Sequence, residues 1–418
     1  MEANVVKLRL ATDQGSSTDF RKFHVSSRGE VNIPKKEDCE ALWAQFGVSE
    51  EIVTHSCVVA ELARILGIYL RQAGLSLNLD VIVASGYLHE LANEKSVYAG
   101  EGANIFDEAG YTSVADIVAH IDIRPEKGSV DEADLIFFAD WLVKDDRLVT
   151  IEAQFNHLLE NFTGRPRTLK LTSRELRDAE KVQKRVEAIL GIPLVQIIDR
   201  HRRGIKAASL VRKREIFLAS HGEVRFQRSR EHAIPRWSSP LSGEGIEQAR
   251  ALGEKLRHAQ ISAIYCSDIR CARETAGIIG KPHGLHPIEV KDFREVALGK
   301  WERLAFEEVA HKYIEECLKK GEDIVHYQPP GGESLLDCTL RVIPALYAML
   351  HSSRGNLLIV GHQMLNRILL SQALGKSLGN LFEIDQAYGC LNVIKYSDFT
   401  FDVKVLNEIS SPDLVENA

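Results

Sequence analysis

Apolar positions recur with two different periods along this chain. From Lys36 to Gly191 they return every three or four residues, the spacing of helices with one buried face. Ser49-Glu50-Glu51 opens the run VTHSCVVAELARILGIYLRQAG, in which Ile52, Val59, Leu62, Leu66 and Tyr69 share a stripe and Gly74 supplies a stop. DVIVASGYLHELAN, SVADIVAHID and EADLIFFADWLVKDD predict three further helices. SRELRDAEKVQKRVEAIL predicts a long charged one, with Thr172 and Glu175 at capping-box spacing and Gly191 and Pro193 as its stop. No alternating run that would make a strand lies between residues 36 and 190.

After Arg214 the period changes. EIFLAS is a short apolar strand ending at His221-Gly222, and EGIEQARALGEKLRHA is an amphipathic helix. ISAIYCS, NLLIVGH, CLNVIKYS and DVKVLNEI are further strands, interleaved with helices over IRCARETAGIIG and MLNRILLSQALG. Alternation of this kind predicts a mainly parallel sheet between helical layers, with functional residues at the carboxyl ends of its strands. The expected organisation is multidomain. A polar N-terminal segment (1–35), whose one strand-like run is VVKLRL, precedes an all-α domain (36–191). A connector (192–213), a three-layer α/β domain (214–407) and a tail (408–418) follow.

A length of 418 residues accommodates two domains and short extra pieces. The net charge of −7 provides no basic field for nucleic acid or an anionic membrane. No run approaches 18 apolar residues, and the N-terminus lacks the apolar core of a secretory signal. Seven scattered cysteines without a CxxC pair argue against a disulfide framework or a cysteine-rich zinc site. These features are those of a protein of the reducing cytoplasm. The basic run Arg200 to Arg203 reads either as a solvated linker or as a contact for a phosphate-bearing ligand.

In the helical half, His55, the pair His89-Glu90, His120 and Asp140 stand out. Each alone reads as a packed core residue. Together, imidazole nitrogen and carboxylate oxygen suit Mn, Fe, Mg, Co, Ni or Zn. Such an ion lowers the pKa of bound water from 15.7 to about 7 and makes a nucleophile at neutral pH. The order resembles the HD superfamily of metal-dependent phosphohydrolases, with His55, LHELA at Leu88–Ala92, His120 in DIVAHID and Asp140 in FADWLV as the matching residues. The resemblance covers about residues 36–165. It implies a divalent metal cofactor and a substrate with a phosphoester or phosphoanhydride bond, of nucleotide-like character. One residue departs from the pattern: Glu90 stands at the signature aspartate. Its extra methylene shifts the carboxylate by about 1.5 Å, beyond a catalytic tolerance of about 0.5 Å.

The second half carries six ordered blocks: FLASHGE, SPLSGEGIEQARALGEKL, YCSDIRCARETA, FREVALGKWERL, PPGGES and LLIVGHQ. They resemble the histidine phosphatases of the phosphoglycerate mutase-like and α-ribazole phosphatase-like branch. The resemblance implies His221 as the nucleophile that forms a phosphohistidine, Glu295 as acid and base, His362 as second histidine, and no metal cofactor in this half. It also implies two arginines to neutralise the equatorial phosphoryl oxygens. Here Ser220 and Cys271 occupy those two positions, and neither is charged at its ordinary pKa. Arg225, Arg228 and Arg270 read either as substitute phosphate-binding cations beside Ser220 or as surface arginines.

The expected function is a two-domain phosphohydrolase whose HD-like half acts on a small phosphorylated molecule, nucleotides included, while the phosphatase-like half is impaired. Two alternatives stay open: a non-enzymatic binding or scaffolding protein with both sites eroded, and a cofactor-salvage phosphomonoesterase of the α-ribazole phosphatase type.

Overall fold

A computed structural model describes residues 32–95, 99–121, 128–160, 166–205, 213–225, 239–397 (apart from 303, 305, 314, 316, 317, 320 and 322) and 400–409. The chain forms two compact units, one of Met1–Leu70 and Ser76–Leu194, the other of Arg71–Leu75 and Val195–Ala418.

The first unit is helical, with α1 (Lys36–Phe46), α2 (Glu50–Gln72), α3 (Leu79–Lys95), α4 (Ala99–Glu108), α5 (Thr112–His120), α6 (Glu132–Trp141), α7 (Ile151–Glu160) and α8 (Pro166–Leu190). The predicted stripe of α2 is in place: Val59, Leu62, Leu66 and Tyr69 are buried, and Ile52 is partly so. This helix is long and apolar enough to cross a membrane, but most of its apolar stretch is buried inside the protein. Core packing therefore accounts for its composition. Helices α2 and α3 approach closely because Gly86 has no side chain: a Cβ there would lie 2.7 Å from Ala60 Cα. Asp131 caps α6 by accepting from the Asp134 amide (2.9 Å), while the Asp134 carboxylate accepts from the Asp131 amide (3.3 Å).

Three differences from the sequence expectation appear around this unit. A two-stranded ribbon, β1 (Val143–Lys144) with β2 (Arg147–Leu148), follows α6, too short to show alternation in sequence. Helix α8 begins at Pro166, a residue suited to a first helical turn, so Thr172 falls within the helix and not at its start. The expected connector carries α9 (Leu194–Ile205), which buries Leu194, Ile197 and His201. Arg200, on this helix, donates to the Leu340 carbonyl (2.8 Å).

The second unit holds a six-stranded sheet in the order β5-β4-β6-β3-β7-β8. Its strands are β3 (Arg214–Ser220), β4 (Ile261–Cys266), β5 (Ile288–Glu289), β6 (Asn356–Gly361), β7 (Cys390–Ser397) and β8 (Thr400–Ile409). Strands β5, β4, β6 and β3 are parallel; β7 and β8 add antiparallel. Strand β8 runs past the expected edge at 407 to Ile409. The chief helices are α10 (Gly243–Lys255), α11 (Arg270–Gly280), α12 (Phe306–Lys312), α13 (Leu335–Ser352) and α14 (Gln363–Leu374).

Residues alternate across the sheet with the two-residue strand period. Phe217, Ala219, Leu358 and Val360 pack with Leu252 of α10 and with Ala272, Ala276 and Ile279 of α11. Ile216, Leu218, Leu357 and Ile359, equally buried, face the side where α14 packs on β3. Burial on both faces explains why EIFLAS and NLLIVG read as near-continuous apolar runs. At the end of β3 the backbone meets the start of α10 directly. A Cβ on Gly222 would collide with the Gly245 carbonyl, and one on Gly245 with the Glu223 carbonyl, so both positions require glycine.

Candidate active sites

Two clusters of chemically capable residues form, one in each unit. In the helical unit, α2 supplies His55, α3 supplies His89 and Glu90, and α6 supplies Asp140. One ligand atom from each lies within 4.8 Å of all the others. His55 Nε2 is 3.0 Å from Asp140 Oδ1. His89 Nε2 stands 3.5 Å from Glu90 Oε1 and 3.7 Å from Asp140 Oδ1, and it is buried without a hydrogen-bond partner among the described residues.

Both imidazoles are oriented from behind. Nδ1 of His55 donates to the Asp145 carbonyl (3.0 Å), and Nδ1 of His89 donates to the Gly86 carbonyl (2.8 Å). Each Nε2 is thereby left to face the cluster, the usual support of a metal-ligating histidine. Asp145 reaches its position through the turn between β1 and β2, with a φ of 55° that aspartate tolerates better than most residues. Burial disfavours charge on His89, but Asp140 and Glu90 outweigh it and raise its pKa. Apolar surroundings push Asp140 up, and the two histidines more than reverse this, holding it well below the usual carboxylate range. His120 does not join the four: it turns back along α5, and its Nδ1 donates to the Asp116 carbonyl (2.6 Å).

The second cluster sits at the carboxyl edge of the sheet. Strands β3 and β6 pair in parallel from Ile216↔Leu357 to Ser220↔Gly361, so the next residues, His221 and His362, emerge side by side. Their ring centroids are 5.0 Å apart, and Tyr388 packs 5.5 Å from His221. Nδ1 of His221 donates to the Gly222 carbonyl (2.7 Å), which leaves Nε2 as its lone-pair atom. Burial lowers the His221 pKa to about 4, against the opposing effect of that hydrogen bond. Burial, with His221 and Arg341 as like-charged neighbours, drives His362 well below its ordinary value. Both imidazoles are therefore neutral at pH 7.

Glu295 is the third member. Its Oε1 accepts from the Val296 amide (2.9 Å) and its Oε2 from the Met364 amide (3.1 Å) at the start of α14. Burial raises its pKa in spite of these amides, the direction a proton donor needs. The loop carrying it is clamped by Arg341 of α13. That guanidinium donates to Glu333 (2.8 Å) and to the carbonyls of Asp292 (2.6 Å), Arg294 (2.9 Å) and Glu295 (3.0 Å). Arg294 turns away and pairs with Asp268 (2.7 Å).

The cavity beside these residues has a volume of about 310 Å³ and is lined by His221, Cys271, Glu295 and His362 with mostly apolar neighbours. No arginine or lysine lines it among the described residues. Of the three arginines read from sequence as substitute cations or surface residues, the two that are described do not line it. Arg225 is exposed and absent from the lining. Arg270 is half-exposed and pairs with Glu274 one helical turn on (2.7 Å). Arg228 lies outside the described residues. Ser220 is fully buried, and its hydroxyl finds no partner among the described residues. Residues that sequence reading missed are Asp145, Gly86, Tyr388, Thr275 and Arg341. Gly86, Asp145 and Thr275 stood in quoted segments without being singled out; the Thr275 hydroxyl accepts from the Gly222 amide (3.1 Å).

This geometry coincides with a family match. The description "Histidine phosphatase superfamily (branch 1)" matches residues 216–409. The adenosylcobalamin/alpha-ribazole phosphatase of Salmonella typhimurium is 30% identical over 172 residues, 40% of this chain and 84% of that protein. The chain belongs to the histidine phosphatase superfamily. The match lies wholly within the second unit. The 6-phosphofructo-2-kinase/fructose-2,6-bisphosphatase of Gallus gallus is 30% identical over 169 residues, 40% of this chain and 34% of its own length. The alpha-ribazole phosphatase structure from Shigella flexneri covers 47% of this chain and 98% of its own, at 23% identity and a TM-score of 0.43.

The Arg341 clamp gives a direct test of how the histidine phosphatase site is held. Arg341→Met should destabilise the protein by about 2–4 kcal/mol, since it orphans a partly buried carboxylate and three carbonyls. Urea unfolding measures it; a loss under about 0.5 kcal/mol, the level of an ordinary surface change, would contradict the clamp.

Proposed function

We propose that this protein is a phosphohydrolase whose turnover resides in the helical unit, at a divalent-metal centre held by His55, His89, Glu90 and Asp140. The observation that carries this reading is the convergence of those four residues from three helices, with an orphaned imidazole nitrogen at its heart. The donor set of two nitrogens and two carboxylates fits Mn, Fe, Co, Ni, Zn or Mg. A bound ion would supply a hydroxide nucleophile near neutral pH and polarise a phosphoryl oxygen. The protein's own part is to orient both imidazoles through the Asp145 and Gly86 carbonyls and to keep Asp140 ionised. The substrate class is a phosphoester or phosphoanhydride of a small, nucleotide-like molecule.

In the same reading the histidine phosphatase unit turns over phosphomonoesters poorly. His221 is neutral and oriented for attack, but among the described residues no arginine or lysine lines the cavity to meet the oxygens that would gain negative charge. Each missing charged contact in a buried phosphate site costs about 2–5 kcal/mol, so two slow the reaction by orders of magnitude. A second reading is a phosphomonoesterase of the α-ribazole phosphatase type. The orientation of His221 and the upward shift of the Glu295 pKa by burial support it, as does the likeness to the Salmonella typhimurium protein.

Two measurements separate these readings. With Mn²⁺ added, the full chain should hydrolyse a generic phosphodiester, and His89→Ala or Asp140→Ala should each lower the rate at least a hundredfold while His221→Ala leaves it unchanged. Metal-independent turnover, or turnover lost with His221, would transfer the activity to the other unit. The second measurement is hydrolysis of a small aryl phosphate. Ser220→Arg with Cys271→Arg should raise it at least tenfold over wild type, and the gain should vanish with His221→Ala. Rapid wild-type turnover that requires His221 would establish the second reading instead.

A further inference from the structure

The residue that breaks the phosphate site also brings a new donor to it. One nitrogen from each of His221 and His362 and the sulfur of Cys271 lie within 4.8 Å of one another, and all three residues are buried. An arginine at position 271 would set a fixed cation against two imidazoles. The cysteine instead completes a set of two nitrogens and one sulfur, which suits zinc-class ions and disfavours magnesium and calcium.

Three features besides proximity point to an ion. Nδ1 of His221 donates to the Gly222 carbonyl, so its Nε2 lone pair is free for coordination. Nε2 of His362 is buried with no hydrogen-bond partner among the described residues. The three side chains all line the same cavity, whose described wall holds no other cation.

We propose that His221, Cys271 and His362 form a three-ligand site for a zinc-class divalent ion whose fourth position opens into the cavity. Three protein ligands and an open place is the arrangement of reactive rather than purely structural zinc. Binding deprotonates the Cys271 thiol and releases that proton to solvent, while both imidazoles bind neutral. The ion then keeps one net positive charge. That charge stands in the pocket where two guanidinium groups are missing, and it suits a small oxyanion, phosphate or carboxylate, at the open position. Ion and phosphohistidine exclude one another, since both use Nε2 of His221. The site shares no ligand with the helical centre, so the two proposals fail separately.

Cobalt(II) reports the site through its sulfur ligand. In the full-length Asp140→Ala protein, which disables the helical centre, Co²⁺ should bind once per chain and produce a near-ultraviolet thiolate-to-cobalt charge-transfer band. Adding Cys271→Ser, nearly isosteric and so expected to leave the thermal midpoint in place, should abolish the band and weaken binding at least tenfold. His362→Ala should do the same. Inorganic phosphate should shift the visible cobalt bands of the loaded protein and should bind more weakly to the metal-free form. No charge-transfer band, or one that survives Cys271→Ser, would overturn the metal site. Cobalt bands indifferent to phosphate would overturn the anion-binding part.

Discussion

The parallel pairing of β3 with β6 is the constraint on which the histidine phosphatase unit depends. Five residues of each strand lie in register, ending at Ser220 beside Gly361, and the His221 amide continues the ladder to the Gly361 carbonyl (3.1 Å). A slip of one residue would turn the apolar set of either strand to the wrong face. It would also part the two histidines, which meet only because both strands end together. Glu295 is tied to the same point, since one of the two amides it accepts from belongs to Met364, two residues beyond His362. One register therefore assembles His221, Glu295 and His362, and burial among the apolar layers around them lowers the pKa of both imidazoles.

The two clusters handle charge in opposite ways. In the helical unit, imidazole and carboxylate face each other, and the His55–Asp140 pair holds the aspartate ionised. In the sheet unit, the described cavity wall carries histidine, cysteine and glutamate but no fixed cation. Two substitutions relative to the histidine phosphatase pattern, Ser220 and Cys271, account for that. The same cysteine places a sulfur within 4.8 Å of one nitrogen from each of the two histidines, the donor set on which the proposed zinc-class site rests. Under the readings proposed above, poor phosphatase chemistry would follow from both changes and metal affinity from the cysteine, on an intact scaffold.

Much of this was legible in the sequence because periodicity and block order are local signals. The change of period near Arg214 marks the sheet, and the order of blocks names His221, Glu295 and His362. The spacing of His55, His89-Glu90 and Asp140 along three apolar helices anticipates their convergence. What escaped depends on backbone geometry or on long-range contacts. Asp145 acts through its carbonyl, held by a tight turn with no sequence alternation to announce it. Arg341 reaches a loop far away in sequence. His120 satisfies itself on its own helix, which helical spacing could have suggested, since Asp116 lies one turn back. Arg270 likewise has Glu274 at i,i+4, a local pairing that explains why it leaves the pocket.

The most direct measurement of the central claim is diffraction from crystals of the full chain grown with Mn²⁺, recorded at the manganese absorption edge. An anomalous peak bonded to Nε2 of His55 and His89 and to oxygens of Glu90 and Asp140 is the predicted result. Saturating Mn²⁺ with no peak among these four side chains, and His55 still hydrogen-bonded to Asp140, would contradict it.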